Sequence, residues 1–479
     1  MRKLLLATVA VLGGSLGVAA VAEAQTTSPA PGTVTVRLNG RVRFYAGIIN
    51  DGDANNTTNG TTTTNVVGLP GGLSSTTTTA GAGNLGGSQK QTNYGFGTYA
   101  RLFPGFDGVA ANGLRYGASL EIRQDVSGGA GGGAYGSVSS NSPRRGTLYF
   151  RRQWGYIGTA QLGTVRVGTT DGPSSLYATG TFENFDGGGL NGDIPGLATG
   201  STIITWPFAT QGATYATNKI VYLSPQLFGF DFGIAYEPNT GGNNGLADNG
   251  CGAGNDRTSG NPISIAGGTT SLINVGGSSG PGCDRLSSTF TAAEFTRRRN
   301  LVDLALRYRG TFGGFGIAAT AGYIGSSIVR DASNLTPNPN TRFEGLSIGD
   351  FGAAVTFAGA SIGGHYQFGR YNGAYVPVPK NVADAQAWMV GASYTIGPAV
   401  LGAHYLDYQS AGNVAQAQLG RERREHGFAA GATYTLAPGL SLFASYVYME
   451  RRQNGQNFFG ANTPKTVASV YALGTSFSW

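Results

Sequence analysis

At 479 residues the chain is long enough for several soluble domains, yet no linker separates two differently composed halves, so one domain is expected. Charged residues make up only 12%, glycine occupies 81 positions, and no apolar run of transmembrane-helix length occurs after the N-terminus, which excludes a helical membrane protein. The formal charge of +7 comes without a clustered Lys/Arg patch and interleaved aromatic platforms, so no nucleic-acid partner is expected.

In chain order, Arg2 and Lys3 precede an apolar stretch from Leu4 to Val21, and Ala22, Glu23 and Ala24 supply the pattern of a secretory cleavage site. Residues 1–24 therefore read as a signal peptide. Its removal takes two of 32 basic and one of 25 acidic residues, leaving a mature chain of 25–479 that starts at Gln25 with a net +6.

The first segment, Val34 to Ile49, places Val34, Val36, Leu38, Val42 and Phe44 on one face, with Thr35, Arg37, Asn39, Arg41 and Arg43 on the other. Residues 50–91 form a low-complexity Thr/Asn/Gly tract with nothing to bury, expected as a mobile external loop. Next, Phe96, Thr98, Ala100 and Leu102 oppose Tyr99 and Arg101, and Leu114, Tyr116, Ala118, Leu120 and Ile122 oppose Arg115, Ser119, Glu121, Arg123 and Asp125.

The same period of two predicts strands near 145–158, 160–169, 208–224, 228–238, 298–310, 314–326, 344–358, 359–371, 385–396, 398–410, 424–436, 439–452 and 465–479. Short turns such as Ser224 to Leu227, Gly397-Pro398 and Ala437-Pro438-Gly439 alternate with longer tracts, the longest about 239–297. The final segment runs through Tyr471, Leu473 and Phe477 to a terminal Trp479, as suits a lipid-facing strand with rings at the interface. The pattern predicts an all-β, transmembrane, antiparallel up-and-down barrel of about sixteen strands, with both termini on the short-turn side. Cys251 and Cys283 both fall in the 239–297 tract and, in a secreted chain, are expected to pair.

The connection of about 170–207 is too long for a turn and carries Asp171, Glu183, Asp186 and Asp193 without one Lys or Arg. The inward positions of the early strands carry Arg37, Arg41, Arg43, Arg101, Arg115 and Arg123, with Arg166 added from strand five and Glu121 and Asp125 as partial offset. If the acidic loop folds inward it faces a basic wall across a narrowed opening, where low-dielectric walls focus the field and charged rings set ion preference. In strand four, Leu148, Phe150, Trp154 and Tyr156 towards lipid would turn Arg151 to the pore and Arg152 outward. An outward arginine at the midplane costs about 2–4 kcal/mol, so a bulge or an interfacial position is required.

Thr98-Tyr99-Ala100-Arg101-Leu102, the run Ile157 to Gly168, Glu183-Asn184-Phe185-Asp186-Gly187-Gly188, Ala213-Thr214-Tyr215 with Asn218, and Phe228 to Gly233 with Tyr236 are similar to segments of Gram-negative general porins, in their alphaproteobacterial form. The resemblance spans almost the whole mature chain. It implies a water-filled outer-membrane channel for small hydrophilic solutes and ions, usually trimeric, sixteen-stranded, narrowed by an inward third external loop and in contact with lipid and lipopolysaccharide. Arg41 and Arg101 match basic wall positions of the family, Glu183 and Asp186 fall in its acidic loop motif, and either Arg151 or Arg152 occupies the next wall position. The family's proline before the glutamate is missing, and Phe208 stands where some members carry a further arginine.

Other functions are less well served. Only His365, His404 and His426 are available to a hydrolase, and none has triad-like spacing to a nucleophile, so no enzyme, cofactor or metal is expected. The glycine-rich runs lack the lysine and strand-to-helix context of a phosphate loop. Long Thr/Asn/Gly loops would suit an adhesin, but loops vary for many reasons. A solute-selective channel is the nearest alternative, with Tyr99, Tyr149 and Tyr177 as a possible sugar-stacking track.

Overall fold

The computed structural model describes residues 29–51, 61–66, 75–80, 93–125, 148–198, 202–210, 217–239, 263–264, 270–271, 287–288, 299–331, 342–373, 375, 377–378, 383–411, 423–453 and 465–479. The expected signal peptide and the Cys251–Cys283 pair lie outside them, as do the side chains of Asp125 and Tyr149.

Sixteen strands form one closed barrel. The first half comprises β1 Thr33–Asp51, β2 Tyr94–Val109, β3 Arg115–Asp125, β4 Tyr149–Thr159, β5 Gly163–Thr170, β6 Thr217–Leu223, β7 Phe230–Asn239 and β8 Arg299–Phe312. The second comprises β9 Phe315–Gly325, β10 Ser347–Phe357, β11 Ala360–Arg370, β12 Ala385–Ile396, β13 Ala399–Ser410, β14 Arg423–Ala437, β15 Leu440–Gln453 and β16 Lys465–Ser478. Each strand pairs antiparallel with its sequence neighbours, and β16 closes on β1 from Ser478 opposite Arg41 to Ala468 opposite Asp51. Gly40 and Trp479 then exchange both backbone bonds at 3.1 and 3.2 Å. Closure removes every sheet edge, as hydrocarbon demands, because an unsatisfied backbone group there costs several kcal/mol.

The alternation decides which way each residue points. Val36 and Phe96 lie on the outer face at 79% and 87% exposure, while Tyr45, Tyr99, Glu121 and Val221 on the inner face are buried. Stacked rings such as Phe315 and Phe357, 4.4 Å apart, cover the outside near the short turns. The β8–β9 turn is closed by Gly313 and Gly314 at φ +54° and +91°, a left-handed pair that only glycine adopts cheaply.

Two elements differ from the sequence reading. Strand six begins at Thr217 rather than near 208, because Trp206 and Phe208 turn into the lumen, where Phe208 is fully buried and meets the His365 ring edge-on at 4.7 Å. Within the 50–91 tract, Thr61–Val66 pairs with Ser75–Ala80, as the β-branched threonines favour.

Candidate functional site

Between β5 and β6 the chain enters the barrel with a short helix, α1 Pro173–Leu176, and then runs along the inner wall. The Ser174 N–H and hydroxyl both donate to Asp303 of β8, at 3.1 and 2.5 Å. Thr179 hydrogen-bonds Thr320 of β9 at 2.8 Å, and its carbonyl accepts from His365 Nδ1 of β11 at 2.8 Å. The other His365 nitrogen meets Asp350 at 3.0 Å, so both ring nitrogens are engaged and the ring ties the loop to the wall. His404 of β13 donates from Nδ1 to the Phe182 carbonyl and accepts at Nε2 from the Leu190 N–H, both at 3.0 Å, which fixes a neutral ring. Two of the three histidines therefore anchor this loop.

Glycines make the seat. A Cβ on Gly391 would lie 2.8 Å from the Phe182 ring, and one on Gly402 would strike Phe185. The return segment packs beside it: Gln367 donates to the Pro207 carbonyl at 2.8 Å, and Arg451 donates to the Ile203 carbonyl.

The four loop acids do not act as one face. Asp193 reaches the wall, 3.0 Å from Arg101 and 3.6 Å from Arg43, and Asp171 lies 3.1 Å from Arg152. Burial pushes the Asp193 carboxyl up, but Arg101, Arg43 and Arg41 outweigh it and hold it below the usual carboxylate range. Glu183 turns instead into the loop, accepting from Asn191 at 2.6 Å and Thr210 at 2.9 Å, and burial raises its pKa. Asp186, at φ +45°, accepts from the Gly189 N–H at 3.0 Å, and burial pushes it up to about 6. The expectation that all four face the arginines is corrected for Glu183, whose bonds stay inside the loop.

On the opposite wall Arg41, Arg43 and Arg101 surround the Tyr99 ring, their guanidinium carbons 5.5, 5.7 and 4.4 Å from its centroid. Arg41 stands directly across from Arg101, a like-charge pair that is unfavourable unless a counter-charge or π-face offsets it. Glu121 gathers the next three: it pairs with Arg123, and lies 3.3 Å from Arg151 and 2.9 Å from Arg152. Both Arg151 and Arg152 can reach it because the β3–β4 register jumps from Glu121 opposite Arg152 to Ile122 opposite Phe150. Arg151 is the extra residue of a β-bulge. Beyond the bulge the expected facing is reversed, with Arg152, Trp154 and Tyr156 inward and Ile157 outward, whereas Leu148 and Phe150 before it stay on the outer face. Arg166 then stacks on Trp154 at 4.4 Å, and Tyr156 donates to Asp107, which also pairs with Arg37 at 2.7 Å. Arg115 is displaced from the expected set, exposed at the first position of β3 beside the short turn.

A sequence model of the Gram-negative porin family matches residues 7–454. The chain belongs to that family. It is an integral barrel of the outer membrane that forms a porin channel. An anion-selective porin from Comamonas acidovorans has the same fold, with 15% identity over 93% of this chain and 100% of that one and a TM-score of 0.50. OmpT of Vibrio cholerae in its trimer form (14% identity, 93% and 99% covered, TM-score 0.48) and a mutant Rhodopseudomonas blastica porin (14%, 93% and 100%, 0.45) are also similar. No curated protein matches the chain.

Among the charged lumen residues that the sequence reading did not single out, two arginines bear on the opening. Arg307 and Arg309 of β8 share Asp231 of β7, at 2.6 and 3.0 Å, and Arg307 lies 4.2 Å over the Tyr177 ring. Their signal was present, since both alternate with the outward Leu304 and Leu306.

Proposed function

We propose that solutes cross this porin by passive diffusion through the gap between the 171–210 segment and the β1–β5 arginines, and that the gap favours anions. One observation carries the reading: the six guanidiniums of Arg41, Arg43, Arg101, Arg123, Arg151 and Arg152 gather around three of the described carboxylates, Asp193, Glu121 and Asp171. Glu183 spends its oxygens inside the loop, and Asp186 gives one oxygen to the Gly189 N–H while it lies beside Arg43. A sugar-selective track is less well supported, because guanidiniums already cover Tyr99 and Tyr177.

The experiment is a planar-bilayer recording of the mature protein across a KCl gradient. Ohmic steps with a zero-current potential of anionic sign are expected, and a cationic sign sinks the preference. Replacing Arg41, Arg43 and Arg101 together by glutamine should move the potential towards the cation side. Each charge about 5 Å from a passing ion is worth roughly 1–3 kcal/mol between effective dielectrics of 80 and 20, so the permeability ratio should fall by about tenfold or more.

The assembly reading is a homotrimer, supported by small outward residues on β1 to β4, among them Ala46, Ala100, Ala118 and Gly155, which permit close approach. Current steps in threes test it. Residues 1–24 as a removed signal peptide and a Cys251–Cys283 bridge complete the proposal; the mass of the mature protein and thiol labelling before and after reduction test both. On the outer face Glu450 gathers Arg452 and Lys465, and Arg424 pairs with Asp407 at 2.8 Å, which suits anionic headgroups and lipopolysaccharide.

A further inference from the structure

We propose that the channel carries a second anion site below the first, on its short-turn side, formed by Arg166, Arg307 and Arg309 and selective for small dianionic oxyanions such as sulfate or dicarboxylates. The proposal rests on the anion-preferring reading and adds a separate place and a charge preference to it.

Position along the strands separates the two sites. Arg166 lies three residues into β5 from the turn, and Arg309 three residues from the end of β8, whereas Arg101, Arg123 and Arg152 each lie seven or eight residues from the short-turn ends of their strands. At about 3.3 Å per residue, Arg166 and Arg309 are displaced by more than 10 Å along the wall and Arg307, five residues from the end of β8, by roughly 7–10 Å. Tyr177 ties it together: its hydroxyl donates to the Phe232 carbonyl at 3.3 Å, and Arg307, Arg166 and Arg309 all act electrostatically on it.

Basic residues outnumber acids in this group. Asp231 accepts two bonds from Arg307, at 3.0 and 2.6 Å, and one from Arg309 at 3.0 Å, so one carboxylate serves two guanidiniums. Asp107 accepts from Arg37 and Tyr156, and Tyr156 stands opposite Arg166 across β4 and β5. Counting both acids, Arg37, Arg166, Arg307 and Arg309 against Asp107 and Asp231 leave a formal excess of two, which is the charge of a dianion. Stacking of Arg166 on Trp154 and of Arg307 on Tyr177 fixes the guanidinium planes, and a guanidinium held in its plane presents a rigid fork that pairs with two oxygens of a carboxylate or a tetrahedral oxyanion, with the second negative charge adding to the attraction. The Arg309 side chain, 35% exposed, is more open than those of Arg307 and Arg37.

The test is single-channel current in KCl with sodium sulfate titrated in at fixed neutral pH, and sodium nitrate as the monoanion control. Sulfate should reduce the chloride current in a saturable way, and nitrate should not. Arg309→Gln should raise the half-blocking sulfate concentration about fivefold to tenfold, whereas Asp231→Asn, which removes the competing carboxylate, should lower it. Equal sulfate response in wild type and both variants, with the zero-current potential still anionic, overturns the second site alone. A cationic potential in the wild type overturns the underlying reading instead.

Discussion

Along β1 to β5 the inward positions carry Arg41, Arg43, Arg101, Arg123, Arg152 and Arg166, whereas along β10 to β14 the corresponding face carries Gly352, Gly391, Gly402 and Gly431. The same alternation thus builds two opposite surfaces. Glycine lets the loop backbone come into direct contact with the wall, and the loop buries Phe182, Phe185 and Leu190 there. The loop approaches the guanidiniums mainly through Asp171 and Asp193. Apolar burial therefore decides where the loop sits, and charge decides what is left open beside it.

The largest expected effect breaks the arginine side. Glu121 is buried and serves three guanidiniums, so Glu121→Gln leaves three like charges without their shared carboxylate. Removing one partner of a buried ion-pair network costs about 3–5 kcal/mol; the arginines keep some solvent access, so the lower end is expected. Thermal unfolding of the purified barrel should show a clear drop in midpoint, and an unchanged midpoint would mean that water, not Glu121, holds the cluster together.

On the glycine side the corresponding break is Gly402→Val. The new side chain must displace Phe185, and overpacking of this kind costs about 1–3 kcal/mol. The loop is the part most able to yield, so single-channel conductance should rise as it lifts from the wall. Unchanged conductance of a correctly folded barrel would show that the loop does not narrow the path.

Much of the arginine side was legible in the sequence, and little of the glycine side. Arg41, Arg43, Arg101 and Arg123 follow from alternation, because the period of two assigns each residue to a face once the strand is placed. Strand four shows where this fails. One inserted residue inverts every side chain beyond it, so Trp154 and Tyr156, read as lipid-facing, line the lumen, and Arg152 joins Arg151 on Glu121. The inward glycines carry no pattern of their own, since what distinguishes them is a loop distant in sequence. Glu183 looked like a pore acid because charge count says nothing of direction, and Asn191 and Thr210 capture it inside the loop.

The smallest effect lies where the two surfaces meet. Asp186 sits between Gly431 and Arg43, with its pKa pushed by burial up to about 6 against the opposing pull of the Ser445 hydroxyl, the Gly189 N–H and Arg43. A carboxyl raised on folding contributes most below its unfolded pKa of about 3.9, and that contribution is lost as pH rises through 6. Between pH 6 and 5 the folded chain holds this proton while the unfolded chain does not, a difference of about 1.4 kcal/mol for each pH step of one. Acidification from pH 7.5 to 5 should therefore stabilise the seated loop by on the order of 1–2 kcal/mol. The same protonation removes a negative charge beside Arg43, so the zero-current potential should move further to the anionic side over that interval. Asp186→Asn should hold both properties near their acid values at pH 7.5 and flatten the step between pH 5 and 7. A step that survives the substitution assigns the titration to another group and leaves Asp186 as a structural bond to Gly189 only.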